Sequence, residues 1–504
     1  MSVVSPGAGR REWIGLAVIA LPCMLYSMDL MVLNLALPAL SADLAPSATE
    51  LLWIVDIYGF VVAGSLITMG TLGDRIGRRR LLLFGAGAFG VASVLAAFST
   101  SAAMLIAMRA VLGFAGATLA PSTLSLIRNM FRETRERSIA VGVWIASYSA
   151  GAAIGPLLGG VLLQYFWWGS VFLVSVPVMV LLLLLGPTLL PEYRDPNAGR
   201  LDLVSAALSL AAVLTTIYGI KRIAENGLAL LPLLSIVVGL GVGAVFVRRQ
   251  RRLADPMLDM RLLCLPAFSA ALTIYALATF VAFGTFIFVG QYMQLVLGLA
   301  PLQAGLWTLP FALMFIVGSM LTPLAARKIR PGYLMAGGLV IAAVGFGLLA
   351  QVDGSSGIGQ IVTAFVVYSL GLAPAFTLAT DLIIGSAPAE QAGAASALSE
   401  TGSEFGGALG IAILGSIGTA IYRSALADSA PQGIGPDVLD AARSTLGGAL
   451  ATAQHLSEAV GAALIEAARD AFVAGLQASA DIAAVIVAAT ALLAALKLGR
   501  IAPR

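Results

Sequence analysis

Charge is what this sequence has least of: across 504 residues only 11% are Asp, Glu, Lys or Arg, against roughly 25% in a soluble domain. With 59% apolar residues and a mean hydropathy of +0.97, the chain cannot cover a globule with a wettable surface. Histidine occurs once, at His455, and cysteine twice, at Cys23 and Cys264. A lone histidine cannot by itself hold a metal ion, and neither a His-Glu-x-x-His nor a Gly-x4-Gly-Lys-Ser/Thr stretch is present. These gaps argue against an enzyme and against ATP hydrolysis, and no metal or organic cofactor is expected. Both cysteines sit near the start of spans on the side assigned below to the cytoplasm, where thiols stay reduced, so no disulfide is expected. The basic residues are distributed by loop and not by surface patch, which leaves no reason to expect a nucleic-acid partner.

What is abundant is apolar sequence in long blocks. Runs of about 18 to 28 residues alternate with short arginine-rich segments, and a block of that length spans ~30 Å of hydrocarbon as a helix. Stretches such as residues 181–185 are apolar on every face, which excludes the alternating pattern of an outer-membrane barrel. The chain therefore reads as an all-α polytopic membrane protein. Its spans are expected at about 13–40, 50–70, 81–98, 102–127, 138–163, 168–190, 202–221, 228–247, 265–297, 302–323, 332–350, 358–383, 392–421 and 472–496. Fourteen is even, so both termini share a side, and most of the 29 Lys and Arg fall in segments that the positive-inside rule then assigns to the cytoplasm of a bacterial inner membrane. Lys221 and Arg222 fall on the wrong side of that topology.

Residues 1–12 are read as a cytoplasmic N-terminus without a cleavable leader, 13–190 as a first six-span half, 191–262 as two extra spans with flanking loops, and 263–504 as a second six-span half. One outside segment is long, residues 423–470. Pro431, Gly433, Gly435 and Pro436 break it, and its alanine-rich stretches 437–453 and 456–472 carry apolar residues at helical spacing, so an extracellular helical hairpin is expected.

Three motifs carry more specific information. Gly70-Thr-Leu-Gly73-Asp74-Arg75-Ile-Gly77-Arg78 joins an acid and arginines to glycines that permit close helix approach, a combination suited to a gate whose charge network forms and breaks. A weak echo follows the tenth span at residues 324–330, with Ala326 where the acid stood, and internal repeats of this kind are usual in secondary transporters. The first stretch closely resembles the major facilitator superfamily. The run from Asp29 through Asn34 to Pro38, and the run from Arg109 to Gly113 and Gly116, resemble the first-span and fourth-span motifs of that superfamily's drug/proton antiporters. Gly151, Gly155, Pro156 and Gly159 resemble the fifth-span antiporter motif, whose physical content is a kinked, close-packing helix face. The resemblance implies the major facilitator fold, two six-helix halves with two additional central helices, in the fourteen-span branch that contains quaternary-ammonium pumps.

Acids and aromatics inside the spans are the candidate machinery. A charge at the bilayer centre costs at least about 2.5 kcal/mol, so Asp29, Asp56, Arg109, Glu400 and Glu404 need partners or a wet path. Glu400 and Glu404 share one helical face at i and i+4, and like charges so close resist ionising together. Asp29, Arg109 and the two glutamates are the candidates for proton coupling, with Arg109 a charge partner for Asp29, and Asp29, Glu400 and Glu404 are also candidates to hold the cation. Asp56, near the start of the second span, is read as substrate contact or as a partly solvated helix-end acid. Lipophilic cations call for aromatic faces and few acids, which Tyr26, Trp53, Tyr58, Trp144, Tyr148, Phe283, Tyr292, Trp307 and Phe311 supply, most of them expected to face lipid or core. The resemblance implies export of quaternary ammonium compounds, ethidium- or acriflavine-like dyes and fluoroquinolones, driven by the proton gradient through a monomer. The tenth span lacks the acid some multidrug members carry, which points to poorer transport of divalent cations. A proton-coupled carrier of an amino acid or sugar is the alternative.

Overall fold

The computed structural model describes residues 8–501 apart from 132, 195–201, 254–255, 257–259, 355, 387–391 and 432–433. All regular structure among them is helical. The first half contains α1 (Arg10–Leu44), α2 (Ala48–Ile76), α3 (Arg78–Ala97), α4 (Ala102–Gly116), α5 (Leu119–Met130), α6 (Thr134–Tyr165), α7 (Ser170–Leu173) and α8 (Ser175–Leu189). Then come α9 (Leu203–Asn226), α10 (Leu230–Gln250) and the short α11 (Met260–Leu263). The second half contains α12 (Pro266–Gln291), α13 (Pro301–Ala326), α14 (Pro331–Leu349), α15 (Ile358–Ser386), α16 (Ala392–Ser429), α17 (Pro436–Ser444), α18 (Leu446–Ala453) and α19 (Glu458–Leu498).

Fourteen segments are long and apolar enough to cross a bilayer, in the order expected from sequence. Two spans are broken: α4 and α5 together make the fourth, and α7 and α8 the sixth. A π-turn over Tyr292–Val296 closes the ninth. The hairpin is present with different arms. Its first arm splits at Thr445, whose hydroxyl accepts from the Gly448 N–H and starts α18. Its second arm is not a separate helix, because no glycine or proline interrupts 458–498 except Gly461 and Gly475, and the chain runs as one 41-residue α19 into the last span.

The halves meet through α2 against α16, α6 against α13 and α1 against α12. Small residues set how close they come. A Cβ on Gly160 would lie 2.7 Å from the Leu302 Cα, and Gly305 lies against the Pro156 carbonyl, so α6 and α13 touch backbone to backbone. Within the first half, Gly151, Gly155 and Gly159 recur every fourth residue and lie under Met24, Met28 and Val32, which recur every fourth residue on α1. Two matched rows at that spacing mesh along the whole contact.

Of the two additional helices, α10 leaves Leu230, Leu234, Val237 and Leu240 exposed, as a lipid-facing helix would. Its foot is tied to α9 by Arg249, which donates to Asp202 at 3.0 Å. Burial pushes the Asp202 carboxyl up, but hydrogen bonds from Ser205 and Arg249 outweigh it and hold the group below the ordinary carboxylate range. In contrast, α9 packs on α2 and α16 as well as on α10.

Candidate functional site

Gly113 on α4 sits against the Tyr58 carbonyl of α2, where a Cβ would be 2.7 Å away, so these parallel helices run in close register. One turn earlier that register brings Arg109 to Ile54, whose carbonyl accepts from Nε at 3.0 Å. Nη1 of Arg109 bonds the Asp29 carboxylate, and the guanidinium lies 4.7 Å from the centroid of the Tyr58 ring. Arg109 is wholly buried and Asp29 nearly so, at 14% side-chain exposure. Asp29 turns into a small cavity inside the first half, lined by Phe89, Ser93, Phe172 and Ser175, and not into the space between the halves.

Tyr26, one turn before Asp29, reaches the second half. Its hydroxyl donates to Glu404 of α16 at 2.8 Å, a bond between the two halves. Its ring is 6.0 Å from Tyr58 and 5.8 Å from Tyr148, and Tyr148 is 4.9 Å from Trp144. Four aromatic rings thus run from the Arg109 pair past Glu404. Glu400 lies one turn before Glu404 on α16, partly buried.

Of the spaces between the halves among the described residues, two adjoin the buried acids and aromatics. A chamber of about 270 Å³ is lined from one side by Met31, Tyr148, Ala152 and Pro156 and from the other by Phe286, Thr308, Phe311 and Phe315. A much smaller cavity holds Asp56, Gly59, Phe283, Ser403 and Glu404. The first is apolar and aromatic, and the second carries the acids.

Asp56 departs from the reading of it as a partly solvated helix-end acid. It sits two turns into α2 at 1% exposure, with its carboxylate oxygens 2.9 and 2.8 Å from Nζ of Lys221 on α9. Lys221 is therefore not an outside loop residue. It lies within the seventh span, fully buried, with Nζ 3.9 Å from the centroid of the Trp53 ring. The sign of this in the sequence was a lysine on the wrong side of an otherwise consistent topology.

Other aromatics divide as residues of a membrane protein do. Trp307 is 42% exposed, away from both spaces, and Tyr292 is buried with its hydroxyl donating to the Asp353 carbonyl at 2.6 Å, a structural contact of the second half. Met31, Phe286 and Phe315, not singled out in the sequence, line the chamber because they lie on the inward faces of α1, α12 and α13. In the basic loop, Asp74 pairs with Arg78 at 2.6 Å, while Arg75 is exposed. Gly73 lies under Arg78, Gly70 near Pro121, and Gly77 takes φ 113° at the break between α2 and α3, a left-handed conformation that favours glycine. Glu192 accepts from the Arg79 N–H at 3.1 Å, so this loop is tied to the end of α8.

A bundle of fourteen apolar helices in two halves, with acids buried at membrane depth around a space between them, defines a membrane transporter. The model of the Major Facilitator Superfamily matches residues 19–411, and the chain belongs to that family. It is 46% identical over 481 residues to the multidrug efflux pump LfrA of Mycolicibacterium smegmatis, covering 95% of each chain. To the methyl viologen resistance protein SmvA of Salmonella typhimurium it is 35% identical, covering 92% of this chain and 93% of the relative. Among solved structures, an inward-facing bacterial homologue of the lysosomal transporter Spinster superposes with a TM-score of 0.69 at 17% identity over 98% of this chain and 99% of that one, which establishes the fold alone.

Proposed function

We propose that this chain exports lipophilic cations in exchange for protons, by alternating access between residues 13–190 and 263–504. The observation that carries the reading is the Tyr26–Glu404 bond between the halves, beside an aromatic chamber large enough for part of a drug-sized cation. The names of relatives that cover nearly the whole chain, a multidrug efflux pump and a viologen resistance protein, support drug export.

In the proposed cycle a cation enters the chamber from the cytoplasm, its flat or alkyl body against Tyr148, Phe286 and Phe311 and its charge toward Glu404. Rings attract cations without a strict hydrogen-bond code, so many shapes are accepted. A proton from outside neutralises Glu404 and releases the cation, and loss of that proton inside restores the site. Glu400 shares the exchange from one turn away. Asp29 and Arg109 act at a distance from the cargo: their pair fixes Tyr58, Tyr58 supports Tyr26, and Tyr26 meets Glu404. Gly70, Gly73, Asp74, Arg75, Gly77 and Arg78 form the cytoplasmic latch, and the hairpin then lies outside. A sugar would need amide or carboxylate partners, which the described lining of the chamber does not offer.

The test is proton movement in proteoliposomes on addition of ethidium. Wild type is expected to release protons, Glu404→Gln to abolish the release and Asp29→Asn to weaken it at least about tenfold. Silence from wild type would favour a metabolite carrier.

A further inference from the structure

The extra helix α9 does more than enlarge the lipid-facing surface. It lies where α2 and α16 meet and touches both, its Ile217 buried in a cluster with Phe60 of α2 and Ala408 and Ala412 of α16. One turn further, Lys221 reaches Asp56, and both side chains are completely buried. Asp56 belongs to the same cavity as Glu404, and Gly59, one turn from Asp56, faces the Glu404 carboxylate, with its Cβ position 3.9 Å from Oε2. A carboxylate, the face of Trp53 and a cavity between moving halves are the elements of a cation subsite. Its occupant is an ammonium group belonging to the chain itself.

We propose that Lys221 is a tethered cation filling a second cation subsite at Asp56, and that by filling it the extra span sets a preference for singly over doubly charged cargo. The inference rests on the export reading above. Cargo with two cationic centres could engage Glu404 and Asp56 together only where Lys221 is absent or withdrawn. Without Lys221 the buried Asp56 carboxyl lacks its charge partner, and a second cationic centre can take that place. Lys221 is a positioning residue in this account, because it acts through Asp56.

Export of ethidium and of methyl viologen, a dication, would be compared in everted vesicles at matched protein amounts. Lys221→Met is expected to raise the methyl viologen to ethidium ratio about tenfold, Lys221→Arg to leave it unchanged, and Asp56→Asn combined with Lys221→Met to return it to the wild-type value. A Lys221→Met ratio equal to wild type overturns the proposal and leaves the pair as a stitch between helices. Should that variant fail to reach the membrane, Lys221→Gln, which removes the charge but keeps a polar side chain, carries the same test. A transport-free readout separates this failure from that of the export reading. In purified Lys221→Met, a hydrophobic carbodiimide should label Asp56, and methyl viologen should protect it at concentrations about tenfold below those ethidium needs. Protection with no export by wild type would sink the export reading and keep the subsite, whereas absence of labelling or protection would sink the subsite.

Discussion

Arg109 meets three unlike partners at once: a carboxylate, a backbone carbonyl and the face of a tyrosine. Only a planar, multiply donating cation satisfies all three. Arg109→Lys keeps the charge but loses the fork and the stacking, and is expected to lower dye efflux about tenfold at a normal amount of protein, read from ethidium fluorescence against an immunoblot. Arg109→Ala strands Asp29 in the interior at a cost of about 3 to 5 kcal/mol, and should reduce the amount of folded protein in the membrane itself. Charged residues such as these were legible because each interrupts an apolar run. Arg109 was expected as a charge partner of Asp29, and the two are paired, but the partners of Asp56 and Glu404 were not legible, since Asp56 and Lys221 are 165 positions apart and Tyr26 and Glu404 378. Periodicity within one helix says which face a residue takes, and nothing about which helix comes to meet it.

Among the elements, the glycines separate two kinds of contact. Gly151 lies against α1 inside one half, close to the Met24 carbonyl, and Gly160 lies against α13 across the junction of the halves. Gly151→Leu is expected to prevent the first half from assembling and to cut the membrane amount several-fold. Gly160→Leu should leave each half folded and hold them apart at the hairpin end, giving near-normal amounts of a pump that loses at least about ten times its efflux. Blots and dye efflux on the pair check both outcomes, and equal loss of protein in the two variants would contradict this division. Apolar length alone identified the fourteen spans. The interruption at Thr118 falls between Gly116 and Pro121, where proline cannot donate the bond a continuous helix would need, whereas the π-turn over Tyr292–Val296 has no proline to mark it.

On the scale of the whole molecule, the hairpin belongs to the second half but reaches the first. Gly447 of α18 lies 3.0 Å, measured from its Cβ position, from the Ser41 Cβ at the end of α1. That is about half an ångström short of the ~3.5–4.5 Å of a disulfide, a shortfall that a small shift of α18 makes up. With exposed Cys264 changed to serine, Ser41→Cys together with Gly447→Cys should therefore oxidise readily. Efflux is expected to fall to background on oxidation and to return with reductant, because the ends joined must part in each cycle. Full transport by the oxidised protein would mean that this contact does not open. The tip of α19 adds a consequence of its own. Forty-one unbroken residues measure about 60 Å, twice the ~30 Å of hydrocarbon, so the helix works as an oar whose blade lies outside the membrane. Each 10° of rocking would sweep that blade through about 10 Å, and the drag of whatever polymer surrounds it would become a load on the transport cycle.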